Sequence, residues 1–341
     1  VEFAALAGDR AGLFHRRVGV ATLEKTHMKF LLTLIFGFAA AASLRAEDAP
    51  RSLLVIVSEP GQPRYETEFR RQAAAWKELG ARGKFQTRII GVDGVSAEGD
   101  RAQLEKSLAD LPKQGNDLWL VLIGHGSFDD RTANFNLRGK DISATELRDL
   151  LKPFERRLIL LDLFSASGPF LTELVGKNRV IVSANRSQGE RNYSRFGETF
   201  ADALTAPDAD MDRDGSLSLL EATLFASAKV RAFYADAQRV MQEHAVIDDN
   251  GDGIATSTEN FDGLQAKLEE DAKAPPDGPT AREIFFLSAP VEILTPDARV
   301  QRGEIEVAIE ALKRTKGAMP EEKYYAELEV LMRRMAALYW K

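Results

Sequence analysis

Two groups of residues in this chain have side chains and spacings suited to chemistry. The first lies in the run DADMDRDGSLSLLEA: Asp210, Asp212, Asp214, Gly215, Ser216, Leu217, Ser218 and Glu221. Three short carboxylates on alternate residues turn their oxygens toward one point. Ser216 and Ser218 add oxygen, Gly215 allows a sharp turn, and Glu221 closes the shell with two oxygens from the start of a helix. That donor set suits a hard cation that takes six to eight oxygens, which means calcium. A second copy starts 38 residues later, with Asp248, Asn250, Asp252, Gly253, the Ile254 carbonyl, Thr256 and Glu259. It departs from the first at Ala255, where a larger apolar residue is usual.

The second group is His125 and Ser165. His125 stands between Gly124 and Gly126, after the apolar run Leu118 to Ile123. Ser165 follows the apolar run Leu158 to Leu163, in LILLDLFSASGPF. Buried parallel strands read as continuous apolar runs, and open parallel sheets collect ligands at the carboxyl ends of their strands. Flanking glycines leave an imidazole exposed and let the backbone approach a ligand. A serine hydroxyl becomes a nucleophile only with a placed base and an oxyanion hole. Asp129, Asp130 and Asp162 are the candidates to orient His125. The G-x-S-x-G elbow of many serine hydrolases is absent.

Over roughly Arg51 to Ala206 this order of motifs resembles the caspase and legumain group of cysteine peptidases. There one strand ends in His-Gly and the next is followed by Cys-x-Ser-Gly; here the matches are His125-Gly126 and Ser165-x-Ser167-Gly168. The resemblance implies catalytic positions at His125 and Ser165. It implies substrate contacts at Gly126, Ser167, Gly168, Asn185 and Arg186, with Ser183 to Arg186 forming one wall. Ser165 stands where that group has its nucleophilic cysteine, so the expectation is a catalytically degenerate domain that binds a peptide or protein segment. Two alternatives stay open. One is a serine-dependent hydrolase using Ser165, His125 and backbone amides near Gly126. The other is a calcium-stabilised structural or interaction protein. The acidic runs resemble EF-hand loops, completely in the first and with the Ala255 departure in the second. The helix entering the first loop is weakly marked and falls to the α/β region. A structural calcium is favoured over a sensor, because no Met-rich face is evident.

The elements that must position these residues follow from periodicity. Strands are expected at Leu53–Val57, Thr87–Val92, Leu118–Ile123, Leu158–Leu163 and Arg179–Ala184. Helices are expected at Tyr65–Leu79, Arg101–Leu111, Ser143–Leu151 (with a Ser143/Glu146 capping box), Phe196–Leu204 and Leu219 to about Val246. Alternation of this kind means a three-layer α/β domain with a mainly parallel sheet. Residues 51–206 are assigned to it, 207–262 to the calcium loops, and 263–292 to a linker with one more strand near Glu283–Leu287. Residues 293–341 form a helical hairpin opened by Pro296 and Pro320, with heptad-like stripes that suit packing of the two helices on each other or, as the alternative, self-association.

The 341 residues include 45 basic and 52 acidic side chains and no cysteine. Disulfides, zinc–thiolate sites and cysteine nucleophiles are thereby excluded. The acidic balance argues against a nucleic-acid partner. Residues 28–46 have the charged start, apolar stretch and small-residue end of a bacterial signal peptide, and 1–27 read as an upstream extension. The expected location is periplasmic or secreted, with no stable membrane span after cleavage.

Overall fold

The computed structural model describes residues 51–93, 98–267, 274–287 and 296–339, within one compact unit. The expected signal peptide, 28–46, and the upstream extension, 1–27, lie outside the described residues. The chain opens with β1 (Ser52–Val57), α1 (Pro63–Arg82), β2 (Gln86–Ile90), α2 (Gly99–Asp110) and β3 (Leu118–Gly124). Three short strands follow, β4 (Gly126–Phe128), β5 (Ala133–Phe135) and β6 (Ile142–Ser143), then α3 (Ala144–Leu151), β7 (Leu158–Phe164), α4 (Gly168–Leu174), β8 (Arg179–Ser183) and α5 (Phe196–Ala203). The remainder is α6 (Leu219–Asp236), β9 (Val246–Asp248), β10 (Thr256–Ser257), β11 (Phe261–Asp262), β12 (Gln265–Ala266), α7 (Pro279–Arg282), α8 (Pro296–Thr315) and α9 (Glu321–Tyr339).

The central sheet has the order β10-β9-β8-β7-β3-β1-β2. Its five strands from β2 to β8 run parallel, and β9 and β10 are antiparallel. Every residue of β1, β3 and β7 is buried, as the apolar runs require of strands covered on both faces. Trp76, Trp119, Phe200 and Phe286 pack on one face. Leu104, Leu147, Phe135, Phe164 and Phe170 pack on the other. The connections reverse direction between β1 and β3, where doubly wound sheets open a ligand crevice. The architecture is thus the expected three-layer α/β domain with a mainly parallel sheet and C-terminal helices.

Two expectations need correction. α6 ends at Asp236, ten residues before Val246. Gln238 takes φ 53° and Arg239 N–H returns to the Tyr234 carbonyl, which closes the helix. The β-branched pair Val246-Ile247 suits a strand better than a helix, and β9 covers the edge that β8 would otherwise leave open. The segment around Glu283–Leu287 does not join the sheet. Phe285 forms an isolated bridge with Ser218, and Ile284 and Phe286 bond to Leu219 and Leu217, so this stretch braces the first acidic loop. The small β4-β5-β6 sheet gave no sequence signal, because two- and three-residue strands are too short for periodicity.

The Ser143/Glu146 capping box forms as expected. The terminal hairpin forms too, opened at Pro296 and Glu321. Its inner face buries Ile305, Leu312 and Tyr324. Arg302 and Arg282 tie it to the body by bonds to Asp212 and Glu306. No described helix is long and apolar enough to cross a membrane.

Candidate functional site

β3 and β7 are neighbours in register, Gly124 beside Phe164, so the residues that follow them meet at the carboxyl edge of the sheet. The Gly126 N–H points at Ser165 Oγ, 3.4 Å away. The Ser165 hydroxyl is almost fully buried. The His125 ring makes no hydrogen bond to Ser165 among the described residues. It sits edge-on to Tyr65, Phe69 and Tyr193, with centroids 4.7, 5.1 and 5.7 Å away. Burial lowers its pKa, and the Pro60 carbonyl opposes that shift in part. The imidazole is therefore neutral at pH 7, and its peptide N–H is held by Ser58 Oγ at 2.8 Å.

The two glycines beside His125 serve packing. Gly124 has φ 129°, and a Cβ there would meet Ser58 Oγ at 2.0 Å. A Cβ on Gly126 would meet the Phe164 ring and the Ser165 carbonyl at 2.6 Å. None of the three aspartates considered as orienting groups bonds to His125. Asp129 accepts from the N–H groups of Arg131 and Thr132, Asp130 pairs with Arg191, and Asp162 is buried inside β7. The orienting groups are Pro60 and the aromatic cage, which only tertiary structure assembles. Asp162 Oδ2 is buried with no partner, and burial pushes its pKa up to about 8.

The turn after Ser165 is held by a polar network. Ser167 Oγ accepts from Ser183 Oγ at 2.9 Å and from Asn185 N–H at 3.1 Å, and Asn185 Oδ1 faces Ser167. Both Ser167 and Asn185 are fully buried, and the bonds between them shape the turn. Ala166 takes φ 61°, a left-handed conformation rare outside glycine and common where a turn is strained for function. Its N–H bonds to the Glu190 carbonyl. The Glu190 carboxylate in turn accepts from the N–H groups of Arg186 and His244, and its other oxygen lies 2.7 Å from His244 Nδ1. Nothing in the sequence pairs Glu190 with His244, 54 residues apart.

Gly168 and Arg186 reach an adjoining cavity of about 390 Å3, together with Phe128, Arg131, Thr145 and Thr172. A Cβ on Gly168 would strike the Ser187 backbone at 2.7 Å, so glycine is needed where α4 meets that loop. The cavity lies beside the His125–Ser165 pair; neither residue lines it.

In the first acidic loop, Asp210, Asp212 and Asp214 each place a carboxylate oxygen within 4.8 Å of the others. Asp210 turns the chain by accepting from Asp214 and Gly215 N–H, and Asp214 accepts from Ser216 N–H. Ser218 and Glu221 form the capping box of α6, while the second Glu221 oxygen accepts from Met211 and Asp212 N–H. Carboxylate oxygens keep further lone pairs after such bonds, and Asp212 Oδ1 is buried with no partner at all. Burial, and after it the neighbouring carboxylates of Asp212 and Asp210, raise the Asp214 pKa. α6 leaves this loop directly, whereas α5 ends at Ala203 and a short 3-10 turn, Pro207–Ala209, lies between it and Asp210.

The second loop is built differently. Asp248 lies in β9, accepting from Gly251 and Gly253 N–H, and Asn250 and Asp252 accept from Asp252 and Ile254 N–H. Thr256 bonds to Asp277, and Glu259 faces His244 Nε2 at 3.8 Å. The loop joins two strands of the sheet, and its β10 pairs with β9 rather than with the first loop.

No protein-family model and no curated protein matches this chain. Among solved structures, it is similar to the Drosophila initiator caspase Dronc, at 12% identity over 61% of this chain and 81% of that one, with TM-score 0.39. It is similar to caspase-1 from Spodoptera frugiperda, at 10% identity over 59% and 87%, with TM-score 0.37. It is also similar to protein GSU0716 from Geobacter sulfurreducens, at 12% identity over 59% and 93%, with TM-score 0.38.

Proposed function

We propose that this is an exported protein whose peptidase-like site no longer turns over substrate. In this reading it retains a place for a peptide or protein segment and carries a structural calcium in the first acidic loop. The observation that carries the loss of catalysis is the state of Ser165. Its hydroxyl is buried, has no hydrogen bond to His125, and faces the Gly126 N–H. An acyl-transfer site needs that amide for the oxyanion and needs the imidazole on the nucleophile. What supports a retained ligand site is the strained turn at Ala166 and the Arg131- and Arg186-lined cavity beside it. What supports calcium is the convergence of Asp210, Asp212 and Asp214, with Asp212 Oδ1 unpaired. Those three, with Ser216, Ser218 and Glu221, would hold the ion and clamp the chain where it leaves the sheet.

The test is peptide-library cleavage, read by mass spectrometry, on the unaltered protein, Ser165→Ala and Ser165→Cys. Silence from the first two is expected, and any cleavage by Ser165→Cys marks a disarmed but intact site. Cleavage by the unaltered protein that disappears in Ser165→Ala would replace this reading with a serine peptidase.

A further inference from the structure

Nine large apolar side chains are exposed among the described residues, and five of them lie on the terminal hairpin: Val307, Tyr325, Val330, Met332 and Tyr339. Three of the four on α9 are ordered. Tyr325, Met332 and Tyr339 are seven residues apart, so at about 100° per residue they fall within a band of roughly 40°. Ala336 lies beside them. The stripe borders the face that α9 turns to α8, where Tyr324 is buried and Leu328, Leu331, Met335 and Leu338 are half-buried. α9 thus has two adjacent apolar faces, and α8 covers only one. A seven-residue apolar repeat on a helix is the pattern of a second helix partner.

Charge selects that partner. Beside the stripe, at about 100° per residue, the first half of α9 carries Glu321, Glu322 and Glu329 and the second half carries Arg333, whereas Glu327 and Arg334 fall on the far side of the helix. A second α9 running parallel would set acid on acid and base on base. Running antiparallel, it sets the acidic half against the basic half. We propose that α9 is a self-association surface, on which two copies of this chain pair antiparallel about Met332. Met332 then meets its own copy, and Tyr325 of one chain meets Tyr339 of the other. Glu329 and Arg333, joined within one helix at 2.6 Å, lie along the outer edge of the stripe and within reach of the same pair on the partner.

The absence of cysteine makes the register directly readable in the full chain. Met332→Cys is expected to give a disulfide-linked dimer under mild oxidation, since only close Cα pairs can be bridged. Val330→Cys, on the opposite side of α9, is expected to stay monomeric on the same gel. Tyr325→Cys alone and Tyr339→Cys alone are expected not to cross-link, whereas an equimolar mixture of the two is. By sedimentation the unaltered protein is expected to be a dimer, and Met332→Glu is expected to weaken it at least tenfold with unchanged circular dichroism. A monomer at about 50 μM, or cross-linking of Tyr325→Cys alone, overturns the proposal.

Discussion

The amide of Gly126 is aimed at the hydroxyl oxygen of Ser165, across 3.4 Å, from the neighbouring strand end. The contact follows from the sheet: β3 and β7 are parallel and in register to their last residues. The loop after one therefore overhangs the turn after the other. A backbone N–H at that place can serve an oxyanion only when nothing else takes it, and here a buried hydroxyl does. The imidazole one residue earlier is neutral, caged by three aromatic rings and faced by a backbone carbonyl. The hydroxyl thus faces an amide and the imidazole faces a carbonyl, and neither bonds to the other.

Gly126→Ala tests whether that close approach is a packing requirement. The added methyl would meet Phe164 and the Ser165 carbonyl at 2.6 Å, and overpacking of this kind costs about 1–3 kcal/mol. Urea unfolding is expected to show a loss in that range. A change under about 0.5 kcal/mol would mean that the two strand ends are looser than the contact implies.

Ser165 and Ser167 differ in what their hydroxyls hold, and their alanine variants should differ accordingly. Removal of the Ser167 hydroxyl leaves Ser183 and Asn185 without a shared partner in a buried site, which costs about 1–3 kcal/mol. Ser165 Oγ has one long contact, so Ser165→Ala is expected to cost well under 1 kcal/mol. Equal losses in parallel denaturation curves would refute the assignment of Ser167 as the structural residue of the turn.

The strands β1, β3, β7 and β8 were legible because burial on both faces writes continuous apolar runs, and the strand-end placement of His125 and Ser165 followed from them. The Ser143 capping box and the clustering of Asp210, Asp212 and Asp214 were legible because their geometry is local. What escaped was long-range. The cage of Tyr65, Phe69 and Tyr193 comes from two separate segments. The Glu190–His244 pair spans the sheet edge, and the roles of Asn185 and Ser167 depend on one another. The end of α6 was misplaced because Leu219 to Val246 contains no proline or glycine, whereas the demand for a strand came from the open edge of β8.

Asp162 should make stability fall with rising pH. Its folded pKa, raised by burial to about 8, exceeds the value of about 3.9 in an unfolded chain. Below pH 4 both states are protonated and the group is silent. Between about 4 and 8 the unfolded chain releases a proton that the folded chain keeps, so stability is lost across that window and levels off above it. Asp162→Asn removes the slope. Relative to the unaltered protein, the variant is expected to gain on the order of 2–4 kcal/mol on going from pH 4.5 to pH 8, at about 1.4 kcal/mol per pKa unit. Stability curves that stay parallel across this range would mean that Asp162 is ionised in the folded state.

Calcium should stabilise the protein through the first loop. An ion that binds only the folded state adds about 2.7 kcal/mol at a hundredfold excess over its dissociation constant, so the melting temperature is expected to rise by several degrees from chelator to millimolar calcium. Asp210→Ala and Asp214→Ala are expected to abolish the rise. Asp212 has two tasks, since its Oδ2 also binds Arg302 at 2.6 Å and Arg282 at 3.3 Å. Asp212→Ala should therefore lower stability even in chelator, by loosening α8 from the body, whereas Asp210→Ala should not loosen it. Hydrogen exchange of α8 separates the two effects: faster in Asp212→Ala and unchanged in Asp210→Ala. A calcium-dependent rise that survives Asp210→Ala and Asp214→Ala would move the ion to the loop beginning at Asp248, where Asn250, Asp252 and Glu259 become the residues to substitute.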